Sequence, residues 1–266
     1  LKDERSDLVY LTADQMFAIG RHPFTDAQVA GLMAIKPGDV YSDDKLRKSQ
    51  DAIRTAYGKL GYILDGAGGR GPVPVQITIQ EVRDEQLPRV DLLMFVLEGK
   101  PYRTGEISII GNNLTQQKVA LRQFEFGPER PLDSELMDRT QKRIEQLRIF
   151  EPGSVKLTIQ PEDPERPGVR DVNAEVAETN TGQFNFGVAV GSDAGVIGQI
   201  GVKQTNFDIA AFPHSMDELI SGQAFRGAGQ TFDLEILPGT VSQNYSLTLV
   251  EPYLFESEYS GSGTVF

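Results

Sequence analysis

The chain has 266 residues, 39% of them hydrophobic, with 27 glycines and no cysteine. Its formal net charge is −12, from 38 acidic and 26 basic residues. No run of 18 apolar residues occurs, which excludes a transmembrane helix; the cysteine count excludes disulfides and thiolate chemistry, and no basic stripe suits nucleic acid.

The first two thirds carry one pattern twice. Ile19–Val29 (I-G-R-H-P-F-T-D-A-Q-V) is answered by Ile110–Val119 (I-G-N-N-L-T-Q-Q-K-V), and Gly20 and Gly111 stand about ninety residues apart. In each copy a Pro-containing turn leads into a helix. Leu46, Gln50, Ile53, Tyr57 and Leu60 share one face of the first, and Leu136, Thr140, Ile144 and Leu147 share one face of the second. Ser42 or Asp43, and Asp133 or Ser134, suit the N-caps. The first helix is expected to end at Gly61-Tyr62, and the second near Ile149-Phe150, two residues shorter.

After each helix comes nearly the same strand, Val75, Gln76, Ile77, Thr78, Ile79 in one copy and Val155, Lys156, Leu157, Thr158, Ile159 in the other. Charged turns follow, Glu81–Arg89 and Pro161–Arg170. Each copy closes on a strand with alternate apolar residues: Val90, Leu92, Met94 and Val96, then Val172, Ala174 and Val176. The order is β-α-α-β-β, which predicts two helices on one face of a three-stranded sheet. A period of this length is too long for a solenoid. The fold class is therefore α+β, with two small domains at 1–99 and 100–179. In such a sheet the strand after the helices is an edge candidate, open to an extended partner by β-augmentation.

The pattern changes after Asn180. Gln183–Gly191 places Phe184, Phe186, Val188 and Val190 on one face and Asn185, Gly187 and Ala189 on the other. Val196–Gln204, Gly229–Leu237 and Gln243–Val250 complete about four strands in region 180–266, and Ser260–Phe266 stops as though entering another. Apolar-out, polar-in alternation is the sequence form of a transmembrane β-barrel. Four strands cannot close, so an incomplete barrel and a trimmed chain are expected. If strands begin at the periplasmic side, Ser192–Gly195 and Pro238–Val241 are outward turns. Asn206–Ala228 is then an inward connection, long for that position and without an assignable role. Phe184, Phe186, Phe232, Leu234, Tyr245 and Leu247 should be uncovered if the barrel reading is right.

The chemistry inventory points away from an enzyme. The histidines are His22 and His214, both in loop-like stretches; no G-x-S-x-G elbow, metal spacing or P-loop lysine occurs. Asp43-Asp44 reads as a cap and Asp84-Glu85 as a solvated turn.

Several of these segments carry a resemblance. Gly111-Asn112-Asn113, Arg139–Phe150, the junction Val176–Gly191 (V-A-E-T-N-T-G-Q-F-N-F-G-V-A-V-G), Ala224–Gln230 (A-F-R-G-A-G-Q) and Glu251–Phe255 (E-P-Y-L-F) are similar to the BamA family of outer-membrane assembly factors. The repeats resemble its POTRA domains. The resemblance implies a role in inserting β-barrel proteins into the outer membrane, with the POTRA domains in the periplasm. It implies unfolded client proteins, accessory lipoproteins and outer-membrane lipid as partners, and no cofactor. Phe184, Asn185, Phe186, Gly187 and Val188 would form a lateral gate strand, and Glu178, Asn180 and Gly182 a hinge. A polypeptide-translocating relative and a soluble periplasmic binding or scaffolding module are the alternatives.

Overall fold

The computed structural model describes residues 9–12, 23–64, 75–83, 86, 90–192, 195–257 and 259–266. His22, Asp84-Glu85 and residues 1–8 and 13–19 lie outside the described residues.

The elements of the first repeat are β1 (Val9–Thr12), α1 (Asp26–Leu32), α2 (Asp43–Lys59), β2 (Gln76–Arg83) and β3 (Val90–Leu97). Thr25 starts α1 with a capping box: its hydroxyl accepts from Gln28 N, and the Gln28 side chain accepts from Thr25 N. Ser42 caps α2 without a side-chain hydrogen bond. The sheet order is β1-β3-β2, with β1 parallel and β2 antiparallel to β3. Ile53 and Tyr57 of α2 are buried with Val29, Met33, Val75, Met94 and Val96. Tyr57 lies edge-on to Phe24 and Tyr62, and its hydroxyl donates to the buried Glu98 carboxylate at 2.7 Å. Burial and that partner push its phenol above the ordinary range. Leu60, expected on the buried face, sits at the C-cap of α2 and is exposed.

The second repeat has the same order: β4 (Arg103–Ile110), α3 (Gln117–Leu121), α4 (Ser134–Gln146), β5 (Lys156–Ile159) and β6 (Val169–Glu175), with sheet order β4-β6-β5. Asp133 caps α4, its carboxylate accepting from Glu135 N and Leu136 N. α4 has 13 residues against 17 in α2, a larger difference than expected. The reason is local: Arg148 takes φ +55, which ends the helix, while Ile149 and Phe150 stay buried and prolong the apolar pattern. Ile144, Ile149 and Phe150 pack with Val119, Ala120, Val155 and Val176.

The last region is a five-stranded antiparallel sheet: to the roughly four strands expected it adds a fifth within Ser260–Phe266, where another was expected to begin. Its order is β11-β10-β9-β8-β7, built from β7 (Gly182–Gly191), β8 (Gly195–Phe207), β9 (Gln230–Leu237), β10 (Asn244–Glu251) and β11 (Gly261–Val265). The short helix α5 (Met216–Ile220) lies in the β8–β9 connection. Among the described residues no helix is long and apolar enough to cross a membrane, which says nothing of strands. By internal packing the chain divides into two units. One is Leu1–Ser108, Glu125–Arg139 and Thr158–Asn173; the other is Ile109–Phe124, Thr140–Leu157 and Ala174–Phe266.

Candidate functional site

Among the described residues the strands β2 and β5 are edges of their sheets, each beside one neighbouring strand. They differ as templates. β2 pairs with β3 through eight residues, from Gln76 to Arg83, and exposes Gln76, Thr78 and Gln80. Ile77 and Ile79 are half-buried and Val75, just ahead of the strand, is in the core. β5 has four residues; Lys156 is exposed, Leu157, Thr158 and Ile159 are half-buried, and Val155 is buried. A short edge bearing a lysine is a guarded edge, so β2 offers the longer run of backbone donors and acceptors.

The five-stranded sheet has two chemically distinct faces, aligned by register. Phe184, Val202, Leu234, Leu247 and Val265 form one row across all five strands, and Phe186, Ile200, Ile236 and Tyr245 the next. Phe184, Phe186, Val188, Tyr245 and Leu247 are exposed, Phe186 by 80%. Phe232 and Leu234, in the central strand, are half-buried between neighbours. The opposite face aligns Lys203, Asp233, Thr248 and Thr264, and Asn185, Gly201, Glu235 and Ser246. There Lys203 meets Asp233 at 3.3 Å and Gln199 donates to Glu235 at 3.0 Å. Among the described residues β7 is one edge of this sheet, and Phe184, Asn185, Phe186, Gly187 and Val188 pair with β8 alone.

The segment expected to act as a hinge is a knot of hydrogen bonds. The Glu178 carboxylate accepts from Leu114 N at 2.9 Å and Thr115 N at 2.5 Å. Asn180 Oδ1 accepts from Gly182 N. The Thr181 hydroxyl accepts from Gln204 Nε2 at 2.7 Å, and its carbonyl from Thr205 N. Arg226 donates through Nη2 to the Thr179 carbonyl at 2.8 Å. Gly111, at φ +98, lets the Val176 carbonyl approach where a Cβ would overlap it.

A second polar cluster was not foreseen from the sequence. The buried Asn206 donates through Nδ2 to the Thr115 hydroxyl and accepts at Oδ1 from Gly229 N, both at 2.9 Å. Its carbonyl accepts from Gly227 N, and Gly227 in turn accepts from Gln116 N. Gln116 Nε2 donates to the buried Asp208 at 2.6 Å. Gly227, at φ +128, passes so close to the Leu114 carbonyl that no side chain fits. Gln123 Nε2 donates to the Tyr253 hydroxyl at 2.8 Å, with the Arg122 guanidinium 4.8 Å from the Tyr253 ring centroid. The long Asn206–Ala228 connection therefore seats on the turn and helix that follow β4. Its only sequence signal was the A-F-R-G-A-G-Q segment.

Among the described residues no group of three or more His, Asp or Glu is placed to hold a metal.

Comparison with known proteins gives this arrangement a context. The POTRA family, surface antigen variable number repeat, matches residues 15–99. The chain is 25% identical over 227 residues to the outer membrane protein assembly factor BamA of Neisseria meningitidis serogroup B, covering 85% of this chain and 25% of that protein. It is 22% identical over 227 residues to the protein of the same name from Buchnera aphidicola subsp. Acyrthosiphon pisum, covering 32% of that protein. The chain thus spans a quarter to a third of the length of these curated relatives. Its fold is similar to the crystal structure of BamA from Haemophilus ducreyi lacking POTRA domains 1-3, with a TM-score of 0.70 at 22% identity over 90% of this chain and 39% of that one.

Proposed function

We propose that this chain is a member of the BamA family, on the strength of its POTRA match and its two curated relatives, and that it is the repeat-and-gate region of a β-barrel assembly factor. In this reading both β-α-α-β-β units are POTRA domains in the periplasm. The five strands from Gly182 to Val265 are the start of an outer-membrane barrel that further strands would close.

The observation that carries the reading is the uncovered apolar face of the strand sheet, backed by an ordered polar face. Burying a large apolar side chain is worth about 1.5–3 kcal/mol, so a face bearing Phe184, Phe186, Val188 and Val190 in the open has lipid as its natural cover. The backbone groups of the β7 edge need a partner even more, because an unsatisfied peptide group in hydrocarbon costs several kcal/mol. A strand of an incoming client satisfies them, and this is the lateral-gate role of Phe184, Asn185, Phe186, Gly187 and Val188.

The β2 edge is the better of the two docking strands for an unfolded client: it is twice the length of β5 and presents polar side chains between half-buried isoleucines. Backbone pairing demands little of the client sequence. Accessory lipoproteins are the second partner class of these repeat edges. The driving force is the client's own folding and burial, with no catalysis and no cofactor.

The test is depletion of the gene product in its own cells, followed by measurement of folded barrel proteins in the outer-membrane fraction. Loss of folded barrels, restored by the intact gene, is the expected result. Normal barrel assembly accompanied by loss of a secreted polypeptide would reject it in favour of a translocating relative.

A further inference from the structure

The β8–β9 and β10–β11 connections, at the end of the strand sheet beside the turn after β4, carry exposed rings and long apolar side chains. In the β8–β9 connection these are Ile209, Phe212 (67% exposed) and Met216; in the β10–β11 connection they are Leu254, Phe255 (92% exposed) and Tyr259. Two separate loops thus show the same character at one end of the sheet.

The first group is joined to the apolar face by a run of stacked rings. Phe207 pairs with Gln230, two residues before Phe232, so register puts Phe207 on the same face as Phe232, Leu234 and Ile236. Ring centroids are 5.0 Å apart from Phe232 to Phe207, 5.8 Å from Phe207 to Phe225, and 5.5 Å from Phe225 to Phe212. Phe225 is held at φ +54, which a bulky residue adopts only under constraint; its amide donates to Ala211 and its carbonyl accepts from Asp208. The second group also borders this face. Gly261 pairs with Glu251 and lies two strand positions from Gly263, and a Cβ on Gly261 would meet Leu254.

The level at which these groups sit is marked by polar side chains. Gln230 Nε2 donates to Glu251 at 2.8 Å, and register places both residues on the apolar face at its last row. A carboxylate on a lipid-facing surface is expensive at the midplane and nearly free at the interface. The rows from Val190 to Phe232 are therefore hydrocarbon depth, and the residues beyond Gln230 and Glu251 are headgroup depth. Aromatic side chains concentrate at that depth because one end is apolar and the surroundings are wet.

We infer that the β8–β9 and β10–β11 connections form an interfacial anchor, seated in the lipid headgroup layer of the membrane leaflet at that end of the strand sheet. The inference rests on the barrel reading above. Asp217 and Glu218 stand beside Met216, so the anchor draws on burial of rings rather than on attraction to anionic lipid. Its reverse side is the Asn206 and Asp208 cluster that grips Thr115 and Gln116. The connection so joins the membrane surface to the turn after β4.

Single cysteines at Phe212, Phe255 and, as a depth reference, Phe186 provide the test, on a region with no cysteine of its own. Each is labelled with an environment-sensitive fluorophore in the full-length gene product, reconstituted in phosphatidylcholine vesicles that carry nitroxide quenchers at a shallow or a deep acyl position. The label at 186 should lose most emission to the deep quencher, and those at 212 and 255 to the shallow one. Emission at 212 and 255 untouched by either quencher, with 186 quenched, overturns the anchor and leaves the barrel reading standing. Labels shielded from aqueous iodide but untouched by lipid quenchers indicate a protein cover and overturn it equally. An unquenched 186 removes the barrel reading itself. A label at Ile209 serves the same purpose where the Phe212→Cys variant fails to assemble.

Discussion

Helix α4 and strand β7 each carry an apolar stripe and dispose of it in opposite ways. Ile144 and Thr140 of α4 are wholly buried, enclosed by their own repeat. Phe184, Phe186, Val188 and Val190 of β7 are open, and every second residue between them is polar or small. The first arrangement is complete in water. The second is written for a solvent that the chain does not itself provide. The difference lies in what surrounds each stripe, because a helix laid on a sheet closes a core locally, whereas a sheet with no covering layer needs another phase.

That contrast can be broken most sharply inside the second repeat. Ile144→Ala should cost about 2–5 kcal/mol by the usual cavity and transfer terms, read as a lowered denaturation midpoint of the repeats; a loss within experimental error would mean that α4 is not packed as described.

Next comes the polar cluster. Asn206→Leu leaves the Thr115 hydroxyl and the Gly229 amide without their buried partner, and should cost about 1–3 kcal/mol, with faster hydrogen exchange at the Gly227 and Gly229 amides. Unchanged protection at those amides would show that the cluster adds no stability.

Glu178→Gln keeps the shape of the side chain and removes its charge. Charge-assisted bonds to backbone amides are roughly twice as strong as neutral ones, so a loss of about 1 kcal/mol is expected, visible as faster exchange at Leu114 and Thr115. Exchange unchanged at both would return the segment to an ordinary linker.

The smallest effect on repeat stability is the most telling. Phe186→Ala should leave the denaturation midpoint of the repeats within about 0.5 kcal/mol, because that ring is exposed, while reducing insertion into lipid vesicles. A drop as large as that of Ile144→Ala would mean that the sheet face is a covered core.

Periodicity carried much of this into view. The 3.6-residue stripe through Ile53 and Tyr57 and the two-residue alternation through Phe184 and Phe186 each follow from local geometry, and both were legible in the chain. The end of α4 was less so, since Ile149 and Phe150 continue an apolar pattern past the point where Arg148 turns the backbone. The fifth strand, Gly261–Val265, alternates glycine with serine and threonine and gives almost no hydrophobic signal. The Asn206–Thr115 contact joins residues about ninety positions apart through polar atoms, and no periodicity reports such a pair. The uses proposed for the β2, β5 and β7 edges rest on topology: sequence named the strands, and pairing order showed which sides are unpaired.

The splice at Glu178 to Thr181 has a mechanical meaning. A joint of free residues would absorb rotation; one with Glu178 fixed to the Leu114 and Thr115 amides, Arg226 fixed to Thr179, and Thr181 fixed to Gln204 and Thr205 passes rotation on. Torque applied to the turn after β4, at Leu114 and Thr115, would then be carried to the root of β7, which among the described residues pairs on one side only.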